Sequence, residues 1–409
     1  SSPHVTQAGA RPPACASRRR RALPTGPSLS RPAGRRRKAS MSQAVGWGVV
    51  GCAGIAGKTC EGIKEAENAR VVAVASRNML KAEGFAKTYT EGAKPYSSYD
   101  AVLKDTSVDV VYVPLPTTMK KDMVMKAAAE KKHILCEKPL AGNVKDAEEM
   151  IEACRQNGVQ FMDNTMMMHH SRLEEIKKVL ENKKDFGDVK HVVSCFTIPF
   201  GNDDEWAGDN IRMNSSLEPM GALGDLGWYN IRLSQWAFKY EEPEEVCCHY
   251  FDKTEEGVPI TAHAILRYSG GCTATFDCSF KCCLRQWAEV VGTKQTVSWD
   301  DLCVTQDKVQ APFTVATAGI GENAITFPKQ IIQQGNVENC VQHKKLIENM
   351  SNIVLGKKLD DKKLDDHWPF ISLQTQKIMM ALHESAARRG GAWVKFRGAD
   401  LGALVCDIS

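Results

Sequence analysis

A lysine and a tyrosine in this chain have the neighbours that a proton-transfer pair requires. Lys138 stands in Glu137-Lys138-Pro139, directly after the apolar run His133 to Cys136. Tyr229 closes the stretch Gly221-Ala222-Leu223-Gly224-Asp225-Leu226-Gly227-Trp228-Tyr229, four residues after Asp225. On a helix that spacing puts carboxylate and phenol on one face. A free phenol titrates near pH ~10, and a neighbouring ammonium favours the phenolate, with about 1.4 kcal/mol of attraction enough to change the ionisation equilibrium tenfold. Such a pair can take a proton from an alcohol while hydride leaves its carbon. Each residue also has a plainer reading: Lys138 as a solvated lysine, Tyr229 as a core aromatic with its hydroxyl satisfied. His169 and His170, after three methionines, could bind substrate hydroxyls, although structural histidines are the commoner case.

Hydride needs an acceptor, and residues 45–77 supply the pattern for one. Val45 to Val50 is apolar, Gly51-Cys52-Ala53-Gly54-Ile55-Ala56 is a tight turn, Lys58 to Ala66 has helical spacing, and Val71 to Ala75 is a second apolar run. Strand, glycine turn, helix and strand open a dinucleotide-binding unit, whose helix N-terminus offers N–H groups to a pyrophosphate. The turn departs from G-x-G-x-x-G, with Ala53 in the second glycine position and Ala56 in the third, so the pattern alone also fits an ordinary βα turn. Its place between a strand and a helix in the first such unit favours the cofactor. The second strand ends in Ser76-Arg77-Asn78, without the carboxylate that binds a ribose 2′-hydroxyl in NAD sites. A guanidinium there can pair with a 2′-phosphate, which predicts NADP, with NAD still possible. The alternative is a surface arginine at a strand end.

The rest of the first 163 residues keeps the same rhythm. Leu80 to Thr88 reads as a helix, Tyr96 to Tyr99 as a loop, and Val108 to Leu115 as the near-continuous apolar strand of a parallel sheet. Met119 to Lys131 is helical, and His133 to Cys136 delivers Glu137 and Lys138 to the carboxyl edge, where open α/β sheets bind ligands. Asn143 caps a helix that Gly158 closes, and Val159 to Met162 is a last strand. Beyond Asp163 the pattern changes. Ser171 and Glu174 suggest a capping box, and then alternation of period two runs through Val189–Ile198, Val246–Phe251, Thr261–Tyr268, Cys272–Phe280 and Ala288–Trp299. Ser269-Gly270-Gly271 and Gly292-Thr293-Lys294 are turns. Helices are expected near Val337–Leu355 and Phe370–Arg389, flanking a charged duplication, Lys357–Asp361 and Lys362–Asp366, read as a solvated loop. The expected fold is an α/β Rossmann domain over residues 41–163 and an α+β domain with a largely antiparallel open sheet over 164–409.

Composition narrows the function further. Residues 1–40 hold nine Arg and one Lys without an acid, so the remainder carries 43 basic against 49 acidic groups. That mildly acidic body gives no footprint for nucleic acid. The leader, rich in arginine and proline, reads as a disordered basic segment. It could be a plastid or mitochondrial transit peptide, or upstream translation before Met41, and the second reading points to a cytoplasmic protein. No window is apolar over the length of a membrane span. The 15 cysteines read as reduced thiols, and Cys272, Cys278, Cys282 and Cys283 lack the paired knuckle of a zinc site, so no metal is expected.

Taken together, the Gly51 turn, the strand ending in Pro114-Leu115-Pro116, Glu137-Lys138-Pro139 and G-A-L-G-D-L-G-W-Y at 221–229 resemble the glucose-fructose oxidoreductase, inositol dehydrogenase and rhizopine-catabolism family, Gfo/Idh/MocA. The likeness runs from about Trp47 to near the C-terminus. It is strongest to the dimeric dihydrodiol dehydrogenase and NADP-dependent D-xylose dehydrogenase branch, in which a tyrosine replaces the histidine of the inositol dehydrogenases. The resemblance implies catalysis by Lys138 with Tyr229, a substrate-orienting Asp225, and a homodimer through the C-terminal sheet. The cofactor set is then Gly51, Ala53, Gly54, Ile55, Ala56, Ser76, Arg77, Pro114, Leu115, Glu137 and Lys138. Departures are Ala53, Lys120 where many members have histidine, and Met168 where many have arginine; the last two bear on the substrate more than on the reaction.

The expected activity is hydride transfer between NADP and a CH–OH group of a carbohydrate or cyclic diol. Tyr229 accepts the proton, and Lys138 lowers the tyrosine pKa and holds the oxygen. The rivals are a non-catalytic sugar or nucleotide sensor of the same fold, and an enzyme that keeps its nucleotide and cycles between two sugars.

Overall fold

The computed structural model describes residues 44–200, 210–305, 310–318, 329–338, 341–388 and 391–398. The basic leader and residues 201–209 lie outside them.

Six strands form the first sheet: β1 (Val45–Val50), β2 (Ala69–Ala75), β3 (Lys94–Tyr96), β4 (Val110–Val113), β5 (His133–Cys136) and β6 (Phe161–Asp163). All its ladders are parallel, in the order β3-β2-β1-β4-β5-β6. Helices α1 (Gly54–Glu65), α2 (Met79–Tyr89), α3 (Tyr99–Lys104), α4 (Lys120–Ala129) and α5 (Val144–Gln156) complete this domain. β1 and β4 are buried along their whole length, which is why their sequences run apolar without alternation. The strand order reverses between β1 and β4, the switch point where such sheets bind ligands. Because every strand points the same way, Gly51, Ser76, Pro114 and Glu137 all leave the sheet at one edge.

Local signals account for much of this. The Asn143 Oδ1 accepts from the Asp146 N–H at 2.8 Å and starts α5, and Gly158 follows its end with φ +67°. The expected loop at Tyr96–Tyr99 is wrong at both ends, since Tyr96 closes β3 and Tyr99 opens α3. A three-residue edge strand containing Pro95 carries too little pattern to be read.

The second sheet has nine strands: β7 (Val189–Thr197), β8 (Glu245–Lys253), β9 (Pro259–Arg267), β10 (Thr273–Ser279), β11 (Ala288–Gly292), β12 (Thr296–Trp299), β13 (Gln310–Ala318), β14 (Lys329–Glu338) and β15 (Val394–Lys395). Its order is β14-β13-β12-β11-β7-β10-β9-β8-β15, and only the β7–β10 ladder is parallel. The expected turns at Ser269–Gly271 and Gly292–Lys294 join β9 to β10 and β11 to β12. Helices α6 (Ser171–Glu181), α7 (Trp228–Ala237), α8 (Gln342–Asp360) and α9 (His367–Ala387) accompany the sheet.

Three expectations are corrected here. His170 caps α6, its Nδ1 accepting from the Arg172 N–H at 3.0 Å. Ser171 is already helical and takes a bond from Lys345, so there is no capping box. The late helix begins at Gln342, because Val337 still pairs in β14. The first copy of the charged repeat is the last turn of α8, ended by Asp361 at φ +49°, and only the second copy is a connector.

Two features tie late sequence to the first domain. α8 packs on α1, with Trp47 Nε1 donating to Ser351 Oγ at 3.2 Å and Asn68 Nδ2 to the Glu348 carbonyl at 3.0 Å. Asp163, at the end of β6, accepts from Arg232 Nη2 of α7 at 3.1 Å, from Trp228 Nε1 at 3.3 Å and from Ser372 Oγ of α9.

Candidate active site

At the edge where β1, β4 and β5 end lies a cavity of about 450 Å³. The first domain contributes Ala53, Gly54, Ile55, Pro114, Leu115, Glu137 and Lys138 to its wall, and the second contributes Asp225 and Tyr229. The sequence-derived lysine, aspartate and tyrosine therefore meet in one place.

The dinucleotide turn is built to receive a ligand. Gly51 sits at φ +131°, a conformation that suits glycine, and a Cβ there would press on Leu115 Cδ2 at 3.2 Å. Ala53 is the extended residue before α1, and Ala56 is fully buried, as close packing of helix on sheet requires. A Cβ on Gly54 would meet nothing within 4 Å, and Ile55 is 40% exposed, so the first N–H groups of α1 face open space. These features fit a pyrophosphate at that helix end. Ser76 is buried, its Oγ accepting from the Asn78 N–H at 3.2 Å, while Arg77 is exposed beside it.

Glu137 is held from below, accepting from Tyr112 Oη and from Asn164 Nδ2, both at 2.6 Å. The next residue carries the ammonium. Lys138 Nζ donates to the Asp225 carbonyl at 2.7 Å and to Asp225 Oδ1. The other carboxylate oxygen accepts from Arg212 Nε at 2.6 Å. Burial alone would raise the Asp225 pKa, but Lys138 and then Arg212 outweigh it and hold the carboxyl well below its usual range. Asp225 itself lies in a π-helical turn, Leu223–Gly227, that runs directly into α7. Such wide turns often occur at functional sites.

Tyr229 is 6% exposed, with its hydroxyl donating to Met166 Sδ at 3.6 Å and Lys138 Nζ 5.0 Å from its ring centroid. Its pKa is raised well above the ordinary phenol value, by burial first and then by Cys303, Glu137 and Asp225. This corrects the expectation that Lys138 lowers it. The lysine's charge is directed at Asp225, and the phenol stands in a low-dielectric wall as a neutral donor.

Sequence reasoning missed several wall residues. Arg212 lies in a stretch without readable pattern, and Met166, Cys303, Gln342 and His343 come from segments with no catalytic signature. Lys120, singled out as a departure, is buried and donates to the Pro139 carbonyl at 2.6 Å and Thr117 Oγ1 at 3.1 Å. The two histidines are structural. His169 stacks on Trp368 with centroids 4.4 Å apart, His170 caps α6, and burial pushes both imidazoles down to about 3. Among the described residues no group of three His, Cys, Asp or Glu side chains is placed to hold a metal, and no helix is long and apolar enough to cross a membrane.

A doubly wound parallel sheet with a glycine turn at its switch point, joined to an antiparallel sheet that closes a lysine–aspartate–tyrosine cavity, defines a two-domain nucleotide-dependent oxidoreductase. Residues 45–165 match the model for the oxidoreductase family with an NAD-binding Rossmann fold, and residues 173–298 match the GFO/IDH/MocA C-terminal domain. The chain belongs to this family, and its first domain is an NAD(P)-binding Rossmann domain. It is 30% identical over 320 residues to trans-1,2-dihydrobenzene-1,2-diol dehydrogenase of Mus musculus, covering 73% of this chain and 89% of that one. It is 29% identical over 275 residues to D-xylose 1-dehydrogenase (NADP(+)) 2 of Haloferax volcanii, covering 67% and 81%. The crystal structure of a 3-ketoreductase from Actinomadura kijaniata in complex with NADP and TDP-benzene superposes with a TM-score of 0.72 at 23% identity, over 83% of this chain and 97% of that one.

Proposed function

We propose that the protein transfers hydride between NADP and a secondary or hemiacetal CH–OH group of a carbohydrate or cyclic diol. The observation that carries this reading is the convergence of Lys138 and Asp225 with Tyr229 at the mouth of the dinucleotide groove. The names of the relatives, a dihydrodiol dehydrogenase and an NADP-dependent sugar dehydrogenase, support the substrate class. NADP, when bound, supplies or accepts the hydride.

The chain's own residues handle the proton and the oxygen. Asp225 fixes the ammonium of Lys138 through two of its three N–H donors, which leaves one for the substrate oxygen. In reduction, the neutral Tyr229 hydroxyl gives its proton to that oxygen, while the lysine stabilises the charge developing there. In oxidation Tyr229 first releases its own proton to solvent, and the phenolate then takes the proton of the substrate hydroxyl as hydride leaves the carbon. Gly54 and Ile55 offer α1 N–H groups to the pyrophosphate, and Arg77 offers its guanidinium to a 2′-phosphate. The experiment is a panel of aldoses, inositols and dihydrodiols with NADP, followed by NADPH absorbance. One class turns over, and Lys138→Met lowers its kcat by about two orders of magnitude or more while NADP still binds. Unchanged kcat in that variant would remove Lys138 from the mechanism.

A homodimer through the second sheet is part of the same proposal. Phe251 is 66% and Ile265 39% exposed on neighbouring strands β8 and β9, and His263 stands beside them with its ring 4.6 Å from Phe251. Exposed apolar groups on an uncovered sheet face suit a second copy. Phe251→Glu is expected to shift the sedimentation coefficient from dimer to monomer; a wild type that sediments as a monomer rejects this part. A cytoplasmic setting is also proposed, supported by the twelve described cysteines, all of them free thiols.

A further inference from the structure

We propose that the substrate carries an oxyanion, a carboxylate or a phosphate, and that Arg212 binds it. This deepens the hydride-transfer reading and rests on it in treating the ligand as the alcohol to be oxidised. The charges around the cavity differ in how many of their donors and acceptors are already used. Among the described residues three carboxylates reach its wall, and each accepts hydrogen bonds. Glu137 accepts from Tyr112 and Asn164. Glu218 accepts from the Thr117 N–H at 3.0 Å and from Thr117 Oγ1 at 2.6 Å. Asp225 is shared by Lys138 and Arg212.

The cationic side is not balanced in the same way. A guanidinium has five N–H donors, and Arg212 uses one of them, Nε, on Asp225. Its two Nη groups have no acceptor among the described residues. The side chain is 36% exposed, yet the wall around it is apolar: Phe196, Ile198, Phe200 and Ile211. The guanidinium carbon lies 5.9 Å from the Phe200 ring centroid. Asp225 holds Arg212 on one carboxylate oxygen and Lys138 on the other, so guanidinium and ammonium share one wall of the cavity with Tyr229.

Among the described residues of the wall, Lys58, Lys120, Lys138 and Arg212 stand against Glu137, Glu218 and Asp225, four cations to three carboxylates, which leaves one positive charge over. A neutral polyol would satisfy the N–H groups but not that charge. A carboxylate or phosphate does both, by the paired geometry for which a guanidinium fork is suited. The apolar wall then takes the carbon face of the ring that carries the reacting alcohol.

The test uses three ligands with one pyranose ring: D-glucose, D-glucuronate and D-glucose 6-phosphate, titrated into NADPH-loaded enzyme and followed by nicotinamide fluorescence. At least one charged sugar is expected to bind about ten- to a hundredfold more tightly than glucose. The tighter of the two identifies the oxyanion as carboxylate or phosphate. Arg212→Met should bring the three affinities together, and Arg212→Lys should restore part of the difference. The ratio within each variant is the readout, because damage passed through Asp225 weakens all three alike. Equal affinity for the three sugars in the wild type, including no measurable binding, overturns the proposal, as does an Arg212→Met variant that keeps the wild-type ratio. Turnover is measured on the same samples: discrimination without turnover upholds the oxyanion site and rejects the dehydrogenase reading, whereas turnover without discrimination does the reverse.

Discussion

Two of the aspartate–arginine clusters in this molecule differ in what surrounds them. At the domain junction, Asp163 and Arg232 are both fully buried, and the carboxylate also binds Trp228 and Ser372. Arg232 in turn donates through Nε to Thr375 Oγ1 at 2.7 Å. In the cavity, Asp225 is likewise bound on both oxygens, but its partners Lys138 and Arg212 retain donors that face a space large enough for a ligand. The same ion-pair chemistry bridges the two domains inside the core where it is enclosed and lines a cavity where it is open. Arg232 also keeps Nη1 without a partner, so the distinction is drawn by whether the remaining donors face an open space, not by the presence of a carboxylate.

The largest loss of stability is expected at the enclosed cluster. Asp163→Ala strands a buried guanidinium, and removal of one partner of such a pair costs about 3–5 kcal/mol. Chemical denaturation should show a loss of that size. Asp225→Ala, at the open cluster, should lose much less stability and most of its activity. Equal losses of stability at the two sites would mean that enclosure does not separate their roles.

Tyr229→Phe sharpens the open side. It removes the hydroxyl proposed as proton donor without disturbing the ammonium, so kcat is expected to fall by about two orders of magnitude with little change in NADP affinity. The raised phenol pKa adds a sign to the pH dependence. A group whose pKa lies above the working range stays protonated across it, so reduction should be flat through neutral pH while oxidation rises with pH. Asp225 behaves in the opposite sense. Its depressed pKa means that its contribution is present above the unfolded value of about 3.9 and disappears only as pH falls through the lower folded value. An acid limb near neutrality in the wild type would contradict that assignment.

The sequence carried the frame of this site further than its interior. Glycine at 51, the apolar run of β4 and the lysine after β5 are legible because a parallel sheet forces their side chains to one edge. The i, i+4 spacing of Asp225 and Tyr229 is legible because a helical turn puts both on one face. Arg212 was not, since it belongs to a segment held by tertiary contacts without periodicity. Nor was the state of Tyr229, because a pKa depends on which partner the nearest ammonium chooses. Lys138 chose Asp225, and no spacing in the chain encodes that choice. Short or irregular elements failed for a related reason: β3 and the start of α8 are fixed by neighbours in the fold rather than by local pattern.

A third arginine extends the comparison to the cofactor side. Arg77 stands exposed at the end of β2 with no carboxylate partner among the described residues, next to the edge where Gly51 and α1 open. Arg232 is enclosed, Arg212 uses one donor, and Arg77 makes no ion pair among the described residues, so its whole fork can meet an incoming anion. An adenosine ribose lying along β2 would bring its 2′ position there. Wild-type kcat/KM should therefore favour NADP over NAD, and Arg77→Ala should cut NADP affinity by roughly ten- to a hundredfold while leaving NAD affinity nearly unchanged. The selective loss matters more than its size, because general damage to the groove would weaken both nucleotides. A wild-type preference ratio at or below unity, or an Arg77→Ala variant that binds NADP as before, would make this arginine an ordinary surface residue and return the choice of cofactor to other groups along the edge.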